Sequence, residues 1–322
     1  MIRTWRWPVV GALLGALTAL LIGLTLVGAV DPAPGDRTQT SKPPPLTAFA
    51  EPYPDPDVIA KHFSTELARL ARKQQLPSPA DLARQGEEAK HCAVETTADP
   101  GQPLRPEEIY RRVRRSVVVV GGIGNRRKDC GRRAYCATGF VLHQDGIIAT
   151  NAHVLVSFKE MKALGAMTCD GRVFAVQKVL AADKHGDVAV LKIDARNLTP
   201  LPIAADVPVG AAVYCLSHPV LNDAKTTNAF FAFTQGMVAG KYRLRIAGDV
   251  PVEVLAVTTD YAVGSSGGPI VNDHGAAVGM TCQTLPIFSD EEQGELQMVW
   301  KFSRPATTLL ALLKDAHGKP KP

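Results

Sequence analysis

The chain of 322 residues is poor in charge, in aromatic side chains and in cysteine. Charged residues make up 21% and aromatic residues 6%, and only 6 residues are cysteine. Lys and Arg exceed Asp and Glu by 36 to 31, and the net charge of +5 is far from the dense basic surface of a nucleic-acid-binding protein. No Cys-x-x-Cys pair occurs, which argues against a zinc ribbon. We therefore expect no nucleic acid, no metal and no cofactor as a partner.

The chain also lacks the patterns of fibrous, repetitive and disordered proteins. Hydrophobic residues make up 46%, with 27 Gly and 24 Pro. This mixture is too apolar for disorder and too irregular for a rod, and no repeat of about 20–50 residues is visible. The length exceeds that of most single domains, so a core domain with appended segments is expected.

A long uncharged run lies near the amino terminus, at residues 9–30. At about 1.5 Å per residue, a helix of this length is roughly 33 Å long, enough to cross a bilayer. Arg3 and Arg6 precede the run, so the positive-inside rule places residue 31 onward outside the cytoplasm. We therefore expect residues 1–30 to form a single-pass anchor in the cytoplasmic membrane, with the remainder facing the periplasm or the cell exterior.

A cleaved signal peptide is the alternative interpretation of this segment. The stretch Val27-Gly28-Ala29 contains small residues typical of a cleavage site, although the apolar run exceeds the usual span of about 7–15 residues. Cleavage would yield a secreted protein. If the segment stays in the membrane, the Gly11 and Gly15 pair would let two such helices associate as a homo-oligomer.

The six cysteines form an even set in a chain placed outside the cytoplasm, where disulfides form. Only Cys130 and Cys136 have a spacing that suggests a pair, closing a short loop. The alternative is that several of the six are buried thiols that pack as small hydrophobic side chains. Both interpretations stay open.

Between the anchor and the main domain the sequence predicts a spacer and two helices. Eight residues between Asp31 and Pro56 are proline, so residues 31–55 are expected to form an extended spacer. Asp55 and Ser78 each precede a proline, the pattern of a helix start, so helices are expected from residues 56 and 79 within a helical prelude at 56–106.

From Ser116 onward, short β-rich runs alternate with turns. This spacing predicts a mainly β domain, a barrel or a sandwich, at residues 107–316, closed by a helix at 305–313 and followed by a tail at 317–322. The predicted strands are 116–120, 139–143, 147–150, 173–179, 188–193, 212–216, 230–233, 252–258, 269–271, 276–281 and 298–302.

Three short segments carry residues suited to nucleophilic catalysis. His153 lies in the segment TNAHV, where a strand delivers it into a turn; Asp187 begins DVAVLKI; and Ser266 lies in GSSGGP. A serine hydroxyl needs a base to take its proton, and that imidazole needs a carboxylate to hold its tautomer. Gly264 allows a backbone in which the Gly264 and Ser266 N–H groups form an oxyanion hole. Taken together, these segments predict a catalytic triad.

In this order the three segments resemble the chymotrypsin-fold serine proteases, and most closely the bacterial HtrA/DegP type. The resemblance covers residues 109–313. It implies two six-stranded β-barrels, with His153 and Asp187 from the first and Ser266 from the second. It also implies an endopeptidase that forms an acyl-enzyme and acts on proteins or peptides. No PDZ domain follows in this sequence, so activation through such a domain is not carried over.

Asp260 is the candidate specificity residue. It lies six residues before Ser266, the spacing of the pocket carboxylate in trypsin-like relatives, which suggests cleavage after Arg or Lys. The stretch around it also resembles the Thr-Asp-Ala-Ala of HtrA-type enzymes, in which the aspartate does not determine specificity. We expect this second role, with Asp260 turned into backbone hydrogen bonds and small or aliphatic residues before the scissile bond.

An inactive protease fold that serves as a binding module is the alternative function. Retention of His153, Asp187, Ser266 and Gly264 favours the enzyme, because a binding module has no chemical need for all four.

Overall fold

The computed structural model of the chain describes residues 54–124, 134–221, 228–245, 250–289 and 294–314. Within these residues, twelve strands close into two β-barrels of six strands each. Two further strands, β1 (Cys92–Ala93) and β14 (Leu313–Lys314), pair with each other in parallel. The mainly β class predicted from the strand spacing, and the two six-stranded barrels implied by the resemblance, are confirmed.

The first barrel is built from consecutive strands. They are β2 (Val117–Ile123), β3 (Ala134–His143), β4 (Ile147–Thr150), β5 (Ala163–Thr168), β6 (Val173–Asp183) and β7 (Val188–Ile193). They are hydrogen-bonded in the order β2-β3-β4-β7-β6-β5, and the ring closes between β5 and β2. The β4–β7 pairing positions the site, because it brings the segment after β4, which contains His153, next to Asp187, which directly precedes β7.

The second barrel follows the same plan. Its strands are β8 (Ala212–Ser217), β9 (Ala232–Leu244), β10 (Val252–Val257), β11 (Pro269–Val271), β12 (Ala277–Phe288) and β13 (Leu296–Pro305). They are ordered β10-β13-β12-β11-β8-β9. The Ser266 turn leads directly into β11, which pairs with β12.

The valine run of β2 shows why this strand is an unbroken apolar segment. Val117 and Val119 pack into one buried cluster, whereas Val118 and Val120 pack into another. Successive side chains of a strand point to opposite faces, so both faces of β2 are covered and each needs an apolar surface.

The helices are α1 (Pro56–Lys73), α2 (Pro79–Glu88), α3 (Pro106–Val113), α4 (Ala152–Ser157) and α5 (Ala306–Leu312). The predicted starts at residues 56 and 79 are confirmed. The Asp55 carboxylate accepts a hydrogen bond from the Asp57 N–H at 2.8 Å, and the Ser78 hydroxyl accepts one from the Asp81 N–H at 3.1 Å. On α1, Ile59, Phe63 and Leu67 join the same buried cluster as Val117 and Val119.

Several elements differ from the sequence prediction. Strand β5 was not predicted, because Ala-Leu-Gly-Ala-Met-Thr has little β-branched character and no alternation. All six of its residues are buried, and pairing with both β2 and β6 imposes the extended form. Strands β9, β12 and β13 are longer than predicted. The closing helix ends at Leu312 rather than at residue 313, because Leu313 pairs with Cys92.

Some predictions fall on residues that the structure does not describe. The anchor at 9–30, nearly all of the spacer at 31–55, the tail at 317–322 and Cys130 of the suggested disulfide are among them. No helix in the described part of the chain is both long and apolar enough to cross a bilayer.

Candidate active site

His153 reaches the site from the first barrel. It lies in α4, which follows β4 after Asn151, so the prediction of a simple turn at this point was wrong. Thr150, the last residue of β4, pairs with Ala189 of β7, and the Asn151 side chain donates to the backbone oxygen of Asp187 at 2.8 Å. These bonds hold the start of α4 beside the loop that precedes β7.

Asp187 binds His153 at two points. The imidazole Nδ1 lies 2.8 Å from Asp187 Oδ2, and the His153 backbone N–H donates to Oδ1 at 2.9 Å. Asp187 directly precedes β7 and takes a left-handed backbone conformation with φ 54°. The His153 side chain is 43% exposed, whereas that of Asp187 is 12% exposed, so the pair presents its imidazole to solvent.

The surroundings of Asp187 favour the carboxylate form. Burial alone would raise its pKa, but the hydrogen bonds from His153 and Cys282 outweigh burial and hold the pKa below its ordinary value. A carboxylate with this low pKa is ionised at neutral pH and accepts the Nδ1 proton of His153. The imidazole is thereby held in the tautomer whose other nitrogen is free to accept a proton.

Cys282 also contacts the His153–Asp187 pair, a role that the sequence did not predict. Its Sγ lies 3.0 Å from Asp187 Oδ2, the same oxygen that faces His153 Nδ1. Burial, together with the negative charge of Asp187, raises the pKa of Cys282 to about 12. The side chain therefore remains a thiol that donates to the carboxylate, and we interpret it as a positioning residue acting through Asp187.

Exchanging Cys282 for alanine is expected to lower kcat by about tenfold with little change in KM, because Asp187 would lose a donor that does not touch the substrate. Cys282→Ser keeps a donor of similar reach and is expected to stay within about threefold of the wild type. Steady-state kinetics of both variants provide the measurement. Equal losses in the alanine and serine variants would show that the donor is unimportant.

The Ser266 turn requires glycine at two positions. Gly264 has φ 93° and Gly267 has φ 85°, both in the left-handed region. A Cβ atom at Gly264 would collide with the His218 carbonyl oxygen, and one at Gly267 would collide with the Thr138 carbonyl oxygen. The positive φ explains why this position needs glycine, and the oxyanion role of Gly264 stays a prediction.

The Gly264 and Ser266 N–H groups donate no hydrogen bond among the described residues. Their neighbours differ, because the Ser265 N–H donates to Ala262 O and the Gly268 N–H donates to Ser265 O. Two N–H groups without a partner among the described residues, one on the candidate nucleophile and one two residues before it, are suited to an oxyanion.

Thr138 joins the two barrels at this point. Its N–H donates to Ser266 O at 2.8 Å and its hydroxyl donates to Gly264 O at 2.9 Å. The Cβ position of Gly267 also abuts Thr150, three residues before His153. The structure therefore brings the Ser266 turn against the end of β4, the strand that precedes the helix containing His153. Among the described residues no hydrogen bond joins the Ser266 hydroxyl to the His153 imidazole.

Asp260, the candidate specificity residue, has an exposed side chain. Its carboxylate is 88% exposed and lies 4.0 Å from the Lys301 ammonium. Its backbone oxygen accepts from the Thr234 hydroxyl at 2.7 Å. The carboxylate is thus neither at the base of an enclosed pocket nor engaged in the backbone hydrogen bonds expected from the sequence.

The described part of the chain holds no group of three or more His, Cys, Asp or Glu side chains able to bind a metal ion. Cys92, Cys169, Cys215 and Cys282 are thiols within the described residues.

Two facing barrels with this geometry have the chymotrypsin fold. Comparison with known families agrees, since residues 137–280 match the family model described as a trypsin-like peptidase domain. That range includes His153, Asp187 and Ser266.

Curated relatives are similar to part of the chain. A probable periplasmic serine endoprotease DegP-like from Halomonas elongata is 35% identical over 155 residues, 47% of this chain and 30% of the relative. Its namesake from Pseudomonas savastanoi pv. phaseolicola is 27% identical over 242 residues, 74% of this chain and 45% of the relative. The chain thus spans less than half the length of these relatives.

A solved structure, the HtrA-type protease AlgW with tripeptide, has the same fold at a TM-score of 0.50. The two chains are 18% identical, and the match covers 67% of this chain and 65% of the other. The described domain therefore has the chymotrypsin fold, and its sequence is similar to trypsin-like peptidase domains and to serine proteases of the HtrA type.

Proposed function

We propose that the whole chain is an extracytoplasmic serine endopeptidase in which His153, Asp187 and Ser266 form the catalytic triad. The observation that supports this most strongly is the hydrogen-bonded His153–Asp187 pair beside the glycine-rich Ser266 turn. The curated relatives are described as periplasmic serine endoproteases, which agrees with both the chemistry and the location.

In the proposed reaction, the Ser266 hydroxyl oxygen attacks the peptide carbonyl carbon while His153 accepts the hydroxyl proton. The Gly264 and Ser266 N–H groups stabilise the oxyanion, an effect of about 3–4 kcal/mol for one donor in comparable sites. His153 then gives the proton to the leaving amine as the C–N bond breaks. Water hydrolyses the acyl-enzyme with His153 again as the base, and Ser266 is regenerated.

A fluorophosphonate probe tests this proposal against the alternative of an inactive binding module. The probe forms a covalent bond only with a serine whose proton is removed by a base, so the purified protein is expected to be labelled on Ser266. Mass spectrometry of the labelled peptide identifies the modified serine. A folded protein that takes up no label would favour the binding module.

We further propose that residues 9–30 anchor the protease in the membrane and that residues 31–55 hold it away from the surface. The uncharged run and the proline-rich segment support this arrangement. Carbonate-washed membranes are expected to retain the full-length protein, and a chain starting at Asp31 is expected to be soluble and active. A mature protein that begins at Val30 by amino-terminal sequencing would show a cleaved signal instead.

A further inference from the structure

Lys301 is unusually well buried for a lysine. Its side chain, on β13, is only 15% exposed, whereas lysines are seldom buried without a close partner. Its Nζ donates to the Tyr261 carbonyl oxygen at 2.6 Å and lies 5.4 Å from the centre of the Tyr261 ring. The nearest carboxylate in the described part of the chain, that of Asp260, is 4.0 Å away. An ammonium has three N–H donors, and only one has a short hydrogen bond among the described residues.

The Lys301 ammonium contacts the loop that leads to the candidate nucleophile, and the Lys301 backbone lies on a strand paired with β12. The loop runs from Tyr261 to Ser266. Its Tyr261 hydroxyl lies 3.4 Å from Gln283 O of β12 and 3.3 Å from Ser303 Oγ of β13, so the loop packs on both strands. In β12, Thr284 is opposite Lys301. Thr284 is two residues beyond Cys282, which contacts Asp187.

A substrate held as an acyl-enzyme would bring one particular side chain to this position. The residue before the scissile bond is the one bonded to Ser266, so its side chain is the substrate group closest to the 261–266 loop and to β12. The charge closest to the Tyr261 carbonyl oxygen of that loop is the Lys301 ammonium, 2.6 Å away. Asp260 neutralises it weakly, because its carboxylate is 88% exposed and 4.0 Å away.

We propose that Lys301 is a specificity-determining residue that binds the carboxylate of an aspartate or glutamate preceding the scissile bond, in place of the small or aliphatic residue expected from the sequence. The proposal rests on the proposed protease function. A substrate carboxylate would take up the remaining N–H donors of Lys301 in charge-assisted hydrogen bonds and displace the exposed Asp260. A substrate lysine or arginine in the same position would be repelled by the positive charge of Lys301.

A purely structural role for Lys301 leads to different results. If its ammonium only braces the loop through the Tyr261 carbonyl, its loss would slow the reaction equally for every substrate. The ratio between a glutamate and a glutamine substrate, which differ in charge but hardly in shape, separates the two roles.

The experiment uses two peptidyl phosphonate esters that differ only in carrying a glutamate or a glutamine side chain next to phosphorus. Their rates of reaction with Ser266 are measured on the full-length protein. The wild type is expected to prefer the glutamate ester by about 10- to 100-fold. Lys301→Met is expected to abolish this ratio, and Lys301→Arg to retain most of it. Lys241→Met, which removes a surface lysine bound to Asp206, is the matched control and is expected to keep the wild-type ratio.

Asp260→Asn provides a second test that does not disturb a buried side chain. Removal of the competing carboxylate is expected to increase the preference for glutamate. A ratio near one in the wild type, or the same ratio in Lys301→Met, would overturn the role of Lys301 while leaving the protease function intact. A neutral fluorophosphonate that fails to label Ser266 would overturn the protease function itself, and the specificity proposal with it.

Discussion

Replacement of Ser266 with alanine is expected to lower the turnover of a peptide substrate by about 10⁶-fold. No other hydroxyl would then be available to form the acyl-enzyme. The turn itself should be unaffected, because among the described residues Ser266 takes part in its hydrogen bonds only through the backbone, at Ser266 O with the Thr138 N–H. The variant is therefore expected to unfold at the same temperature as the wild type, so that the loss reports on chemistry rather than on folding.

The adjacent serine offers a matched control for this prediction. Ser265 is fully buried, and its hydroxyl oxygen accepts hydrogen bonds from the Ser217 hydroxyl at 2.9 Å and from the Ala262 N–H at 3.3 Å. Ser265→Ala is expected to lower the free energy of unfolding by about 1–2 kcal/mol while retaining covalent labelling by a fluorophosphonate. Loss of labelling in Ser265→Ala together with full labelling in Ser266→Ala would exchange the two assignments.

The chemistry could be predicted from the sequence because each reactive residue lies in a short contiguous segment. Ser266 is surrounded by glycines that have a positive φ in the structure, and Asp187 directly precedes a strongly β-type strand. The number of barrels, by contrast, depended on the family resemblance. Strand spacing alone left a barrel and a sandwich equally open.

Contacts between distant parts of the chain could not be predicted from the sequence. Cys282 contacts Asp187 across 95 positions, and nothing in the sequence around Cys282 distinguishes it from a buried structural thiol. Lys301 likewise donates to the Tyr261 carbonyl oxygen only because the fold brings β13 next to the loop that leads to Ser266. The exposure of Asp260 depends on the same packing, so its spacing from Ser266 was not enough to assign its role.

Asp187→Asn is expected to lower turnover by about 10⁴-fold with little change in KM. In the wild type the carboxylate accepts hydrogen bonds only, from His153 Nδ1 at 2.8 Å, the His153 N–H at 2.9 Å and Cys282 Sγ at 3.0 Å. Asparagine supplies one oxygen in place of two. Because the His153 N–H requires an acceptor at the Oδ1 position, the amide nitrogen is expected to take the Oδ2 position and to donate to Nδ1, and the Cys282 thiol loses its acceptor.

The imidazole proton would then move to the other ring nitrogen, the one that must accept the proton of Ser266. The geometry would be nearly unchanged, and the base would be lost. Asp183→Asn is the matched control, because Asp183 is the last residue of β6, four residues before Asp187, and among the described residues its carboxylate accepts only from the exposed His185 N–H at 2.9 Å. This control is expected to stay within about threefold of the wild type. Turnover of Asp187→Asn within about 100-fold of the wild type would mean that Asp187 does not control the tautomer of His153.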